Sequence, residues 1–181
     1  MAIWTFYPAF IATLVSVVGL GRLAWREHDK QQPHNLSELA ATQERLLLHF
    51  RNILWLCGTL FAITVYGFIV PRIGHPVLVA IAWSITYFGD VSLAIIPARD
   101  KTIALHNVLA QSMGVGMVAM AYLYWLNLRG SYAAIELCVS LLMTLLGIMA
   151  FADKRRFIFY ELPFLYLSHI SIVVAALALA R

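Results

Sequence analysis

Apolar residues dominate six stretches of the chain, near 4–25, 52–70, 76–97, 104–128, 132–152 and 157–180, and polar residues crowd into the short intervals between them. About 20 apolar residues at 1.5 Å rise per residue cross the hydrocarbon core of a bilayer. The pattern therefore predicts an all-α, polytopic integral membrane protein, with six transmembrane helices in one bundle and a single domain over 1–181. The intervals carry chain-reversing chemistry: Pro71-Arg72-Ile73-Gly74-His75-Pro76, Pro97-Ala98-Arg99-Asp100-Lys101, Arg129-Gly130-Ser131 and Asp153-Lys154-Arg155-Arg156. The first stretch has neither a basic leader nor a small-residue cleavage site, so it is expected to be retained as a helix.

Residues 26–51 follow a different pattern, which changes at Pro33. Asn35 and Glu38 have capping-box spacing. Leu36, Leu39, Gln43, Leu46, Leu47 and Phe50 then follow a helical stripe opposite Glu38, Thr42, Arg45 and His49. The spacing predicts an amphipathic helix near 35–50, lying on the cytoplasmic surface or extending the second span. A linker helix is the plain reading of this segment; a partner-binding helix is the alternative.

Composition removes the soluble classes. Of 181 residues, 62% are hydrophobic and 12% charged, with mean hydropathy +0.81, against roughly 45–50% and about 25% in soluble domains. Ten of the 13 Lys and Arg residues fall in the first, third and fifth connections or the helix ends beside them: Arg22, Arg26, Lys30, Arg45, Arg51, Arg99, Lys101, Lys154, Arg155 and Arg156. Only Arg72, Arg129 and Arg181 lie on the other side. Positive flanks resist translocation, so the first group is expected in the cytoplasm and both termini outside, in a cell inner (plasma) membrane. The net charge of +4 then reflects topology and attraction to anionic lipid, not nucleic-acid binding. Trp4, Trp25, Trp55 and Trp125 fall near span ends, as interfacial anchors do, whereas Trp83 lies deeper. Cys57 and Cys138 both lie within apolar runs and offer neither a disulfide framework nor a metal motif.

A charge at bilayer depth is unfavourable by about 2.5–3.5 kcal/mol on insertion scales, which makes each one a functional candidate. At 1.5 Å per residue, Asp90 lies about 10 Å, His106 about 4 Å and Glu161 about 6 Å from the cytoplasmic ends of their spans. Asn107 follows His106, Gln111 lies one turn further on, and His169 is near the midplane. Asp90, His106, Asn107 and Glu161 thus share one half of the bilayer. Brought together, they would form a pocket suited to a lipid headgroup, a proton relay or a metal ion. The plainer alternative is that each bonds a neighbouring helix, worth about 0.6 kcal/mol on average. Glu136, Ser140, Thr144 and Gly147 form a separate polar, small-residue stripe near the outer side, expected to pack against another helix. A polar path from Glu136 through His169 to Asp90 is a further arrangement for coordinates to test.

Several chemistries are poorly served. All three lysines fall between spans, which excludes a retinal Schiff base. His106 and His169 differ by about 14 Å in depth, too far for two axial ligands of one haem; His106 with His49 is the better-matched pair. No HExxH pair, Walker loop, GxSxG elbow or CxxC pair is present. No internal repeat supports an inverted-repeat transporter, and the scarcity of polar positions argues against a pore.

Three short segments carry a family likeness: Leu36-Ser37-Glu38-Leu39-Ala40, Ile96-Pro97-Ala98-Arg99-Asp100, and His106-Asn107 with Ala110. With its size and six spans, the chain resembles the bacterial and archaeal membrane family catalogued as domain of unknown function 998. It differs in having Ile96 where that family usually has an aromatic residue, and in lacking the Gly that often follows Ser-Glu-Leu. The family has no established activity. The resemblance implies a cytoplasmic-face cluster of Ser37, Glu38, Asp100 and His106, where the segment before the second span meets the third-to-fourth hairpin.

The leading expectation is a membrane protein with a polar site in the cytoplasmic half of its bundle, formed by Asp90, His106, Asn107, Glu161, Ser37, Glu38 and Asp100, that binds a lipid or small ligand. The alternatives are an accessory subunit docked on other membrane subunits, or an intramembrane enzyme or proton-coupled carrier using Asp90, His106 and Glu161. No metal or cofactor is specified by the sequence, and the bilayer is the one partner it demands.

Overall fold

Each apolar stretch folds as a helix. The computed structural model describes residues 3–31, 36–99, 101–153 and 157–181, with side chains given for all of these except 3 and 26–31. After a 3-10 turn at Ile3–Phe6, the helices are α1 (Pro8–Gln31), α2 (Leu36–Ala41), α3 (Glu44–Thr64), α4 (Pro76–Ile95), α5 (Ile103–Asn127), α6 (Gly130–Ala152) and α7 (Phe157–Leu179). Six of them are long and apolar enough to cross a membrane, and they pack in one bundle. The chain is thus a multi-pass membrane protein of the all-α class.

The second span differs from its expected limits. It runs without interruption from Glu44 to Arg72, ending in a π-helical turn (Val65–Ile69) and a 3-10 turn (Val70–Arg72). Residues 44–51 are its extension, with Glu44, Arg45 and His49 exposed and an ion pair of 2.8 Å between Glu44 and Arg99. The amphipathic stripe is therefore divided. Gln43 takes an extended conformation (φ −140°, ψ 137°), and the Thr42 hydroxyl donates to the Leu39 carbonyl at 2.7 Å, ending α2 before α3 begins. Leu36, Leu39, Leu47 and Phe50 are buried against the bundle, while Gln43 is exposed at the break. The expected Asn35 cap and the Lys154-Arg155-Arg156 connection lie outside the described residues.

The helices form a ring in chain order: α1 on α3, then α3 on α4, α4 on α5, α5 on α6, α6 on α7, and α7 back on α1. Apolar burial drives little helix association in lipid, so close backbone approach and interhelical hydrogen bonds matter more. A side chain on Gly89 would meet Met113 Cβ at 2.7 Å, and one on Gly116 would meet Thr86 Oγ1 at 2.5 Å, so α4 and α5 pack together through these glycines. Pro76 opens α4, where its missing N–H matters least. Gly130, at φ +59°, lets the chain reverse between α5 and α6 within two residues. α1, α3, α4, α5 and α7 surround the interior, and α2 seats against α1, α3 and α7 at the end of the bundle where Arg45 and Arg99 lie, called here the basic end.

Candidate functional site

Three of the expected site residues come together. Asp90 on α4, His106 on α5 and Glu161 on α7 line one interior cavity of about 60 Å³, with Ser37 of α2 at its basic end. His169 lines the same cavity further in, beside Ser16, Phe61 and Trp83.

His106 is 1% exposed and uses both ring nitrogens. Nδ1 donates to the Ile96 carbonyl at 2.6 Å. A carbonyl only accepts, so in the neutral ring Nε2 is left to accept from the Ser37 hydroxyl, at 2.7 Å. One imidazole therefore joins α2, the end of α4 and α5. Glu161 acts similarly from α7: its Oε2 accepts the Leu36 N–H at 2.8 Å, satisfying an amide that the first turn of α2 leaves without a helical partner. Glu38 lies within electrostatic reach of both His106 and Glu161, but it does not line the cavity.

Asp90 is different. Among the described residues its carboxylate makes no hydrogen bond, and it packs over Gly58 of α3, where any Cβ would collide with Oδ2. Gly58 thus makes the space that the carboxylate occupies. Deeper in, Ser16 Oγ, Trp83 Nε1 and His169 Nδ1 are buried without a partner among the described residues, and all three residues line the cavity. The His169 ring packs on Phe61 with centroids 4.6 Å apart.

Other expectations fall differently. Asn107 and Gln111 are exposed on the outer face of α5 and take no part in the cavity, because the helical turn that directs His106 inward directs them outward. Asp100 lies outside the described residues. His49 is exposed, and with both His106 nitrogens engaged the pair offers no shared ligand set for haem. Among the described residues no group of three His, Cys, Asp or Glu side chains is placed to hold a metal ion.

Glu136 belongs to another region. It is 0% exposed and its Oε2 accepts from the Ser171 hydroxyl of α7 at 2.7 Å. Thr144, on the same stripe, pairs with Tyr122 of α5 at 3.3 Å, whereas Gly147 has no neighbour within 4 Å of where a Cβ would lie. The cavity lining includes His169 and Asp90 but not Glu136, so the path considered from Glu136 to Asp90 lacks its first leg.

Sequence reading missed Ser16, Gly58, Phe61 and Ser168 as cavity residues. Trp83 carried a signal in its depth: it is 2% exposed, whereas Trp4 and Trp25 are 77% and 88% exposed. No family model, curated protein or solved structure matches the chain.

Proposed function

We propose that this membrane protein binds a small polar ligand inside its bundle, at the cavity bounded by Asp90, His106 and Glu161. The observation that carries this reading is that Asp90, whose carboxylate has no hydrogen bond among the described residues, and three residues with unpartnered polar atoms, Ser16, Trp83 and His169, line one interior cavity. Buried polar groups are nearly always hydrogen-bonded in folded proteins, so such a space favours an occupant with its own donors and acceptors.

Size favours a small ligand over a lipid. A water needs roughly 10–15 Å³ of cavity, so about 60 Å³ suits a ligand of a few heavy atoms or a small water cluster. Drug-sized ligands take roughly 300–1,000 Å³. Asp90 would recognise a donor, Trp83 Nε1–H an acceptor, and Ser16 and His169 either, according to hydroxyl orientation and tautomer.

The orientation in this proposal places the basic end in the cytoplasm and both termini outside, following the ten-to-three distribution of Lys and Arg. The segments behind the likeness to the domain of unknown function 998 family meet through His106, by way of Ser37 and Ile96.

The test is thermal unfolding of the protein in lipid nanodiscs against a panel of small solutes, including ammonium, formate, acetate, urea and glycine. Ligand at 100 times Kd stabilises by about 2.7 kcal/mol. The reading expects one solute class to raise Tm in the wild type and not in Asp90→Asn. It fails if no solute acts, or if the response survives in that variant.

A further inference from the structure

At its basic end the cavity is bordered by α2. α2 is six residues long and separated from α3 by the extended residue Gln43. Leu36, Leu39 and Ala40 are 0% exposed, so this short helix is seated in the bundle rather than trailing on its surface. Ser37, between them, is part of the cavity lining.

Two polar tethers of α2 are cavity groups themselves. Glu161 accepts the Leu36 N–H at 2.8 Å, and His106 pairs with the Ser37 hydroxyl at 2.7 Å. They reach α2 from α7 and α5, and Ser37, His106 and Glu161 all line the cavity. Any occupant that engaged Glu161 or His106 from inside would compete with the bonds that hold the helix down. Occupancy and seating of α2 would then be linked, because one ligand-sensitive group serves both.

We propose that α2 is a gate: the cavity opens at the basic end when Leu36–Ala41 lifts from the bundle, and Glu161 and His106 latch it shut. This deepens the ligand-binding reading by assigning its access route, and rests on that reading only for what passes through. The gate itself is a property of the protein alone.

The chain supplies its own reporter. Cys57 is 5% exposed and lines the cavity, whereas Cys138 is exposed on the outer surface. In a Cys138→Ser background in nanodiscs, Cys57 would be labelled with a small, permanently charged methanethiosulfonate and the rate followed by mass spectrometry. Slow labelling is expected with both tethers present, and labelling at least about ten times faster in Ser37→Ala/Glu161→Met, where neither the hydroxyl donor to His106 nor the acceptor for the Leu36 N–H remains. Ser171→Ala, which removes a buried hydrogen bond between α6 and α7, serves as the control for general loosening. It is expected to leave the rate unchanged.

Equal acceleration in the control, or no acceleration in a folded tether variant, would overturn the gate. If the tether variant fails to fold, amide exchange in the wild type decides instead. Leu39 and Ala40 exchanging ahead of the α3 core at Leu54–Gly58 is expected, and simultaneous exchange of the two overturns the proposal. Gated labelling without any solute response at Asp90 would keep the gate and remove the small-ligand reading.

Discussion

Asp90 and Glu136 are both carboxylates inside the bundle, and their surroundings have little in common. Glu136 is fully buried within the packed layer of α5, α6 and α7, with Oε2 bonded to Ser171 and Oε1 without a partner among the described residues. Asp90 faces a cavity, rests on a glycine, and has no hydrogen bond among the described residues. The first arrangement describes a polar contact that fixes two helices against each other. In the second the carboxylate borders open space instead of a partner helix's donor. Intramembrane charge is thus not one signal, because its neighbours differ from one site to the next.

Perturbing the two regions should separate these roles. The largest expected effect is at His106, whose ring joins three elements: His106→Ala removes two hydrogen bonds and leaves a void, and is expected to lower stability by about 3 kcal/mol. Unfolding in mixed micelles by SDS titration would measure it, and a loss below about 1 kcal/mol would mean that α2, α4 and α5 hold together without the ring. Next is Gly58→Ala, where the added methyl must displace the Asp90 carboxylate. A destabilisation of about 2 kcal/mol is expected by overpacking, with a weakened solute response in nanodisc melts. An unaltered response would show that Asp90 can move without consequence.

On the other side, Ser171→Ala should reduce stability by about 1 kcal/mol by removing the one partner of a buried carboxyl oxygen, while the solute response stays as in the wild type. A lost response would join the two regions that the geometry separates. The smallest effect is expected from Asp90→Asn, within about 0.5 kcal/mol of wild type because the native side chain gives up no hydrogen bond. If this variant unfolds readily, Asp90 belongs to packing after all, and the contrast with Glu136 disappears.

Much of the architecture was legible in the chain. Block lengths and proline or glycine at the breaks gave the six spans, with most limits within two residues of those observed. The second span was the exception. Its helix continues to Glu44 because residues 44–51 are helical yet carry exposed charge, a combination that a hydropathy pattern reads as the end of a span. The site was legible in part: depth alone grouped Asp90, His106 and Glu161, but the same depth included Asn107, which a rotation of one residue turns to the outer face.

By itself the sequence determined the solvent, the number of crossings and the residues too polar to sit in lipid without a reason. Those are properties of single segments, set by length and transfer free energy. Only the tertiary structure decided which polar groups meet. That depends on the ring order of the helices and on close approach at Gly58, Gly89 and Gly116, relations between segments far apart in the chain. The Ser37–His106 and Leu36–Glu161 bonds span 69 and 125 residues. No local pattern encodes such distances; the packing of helices remote in the chain does.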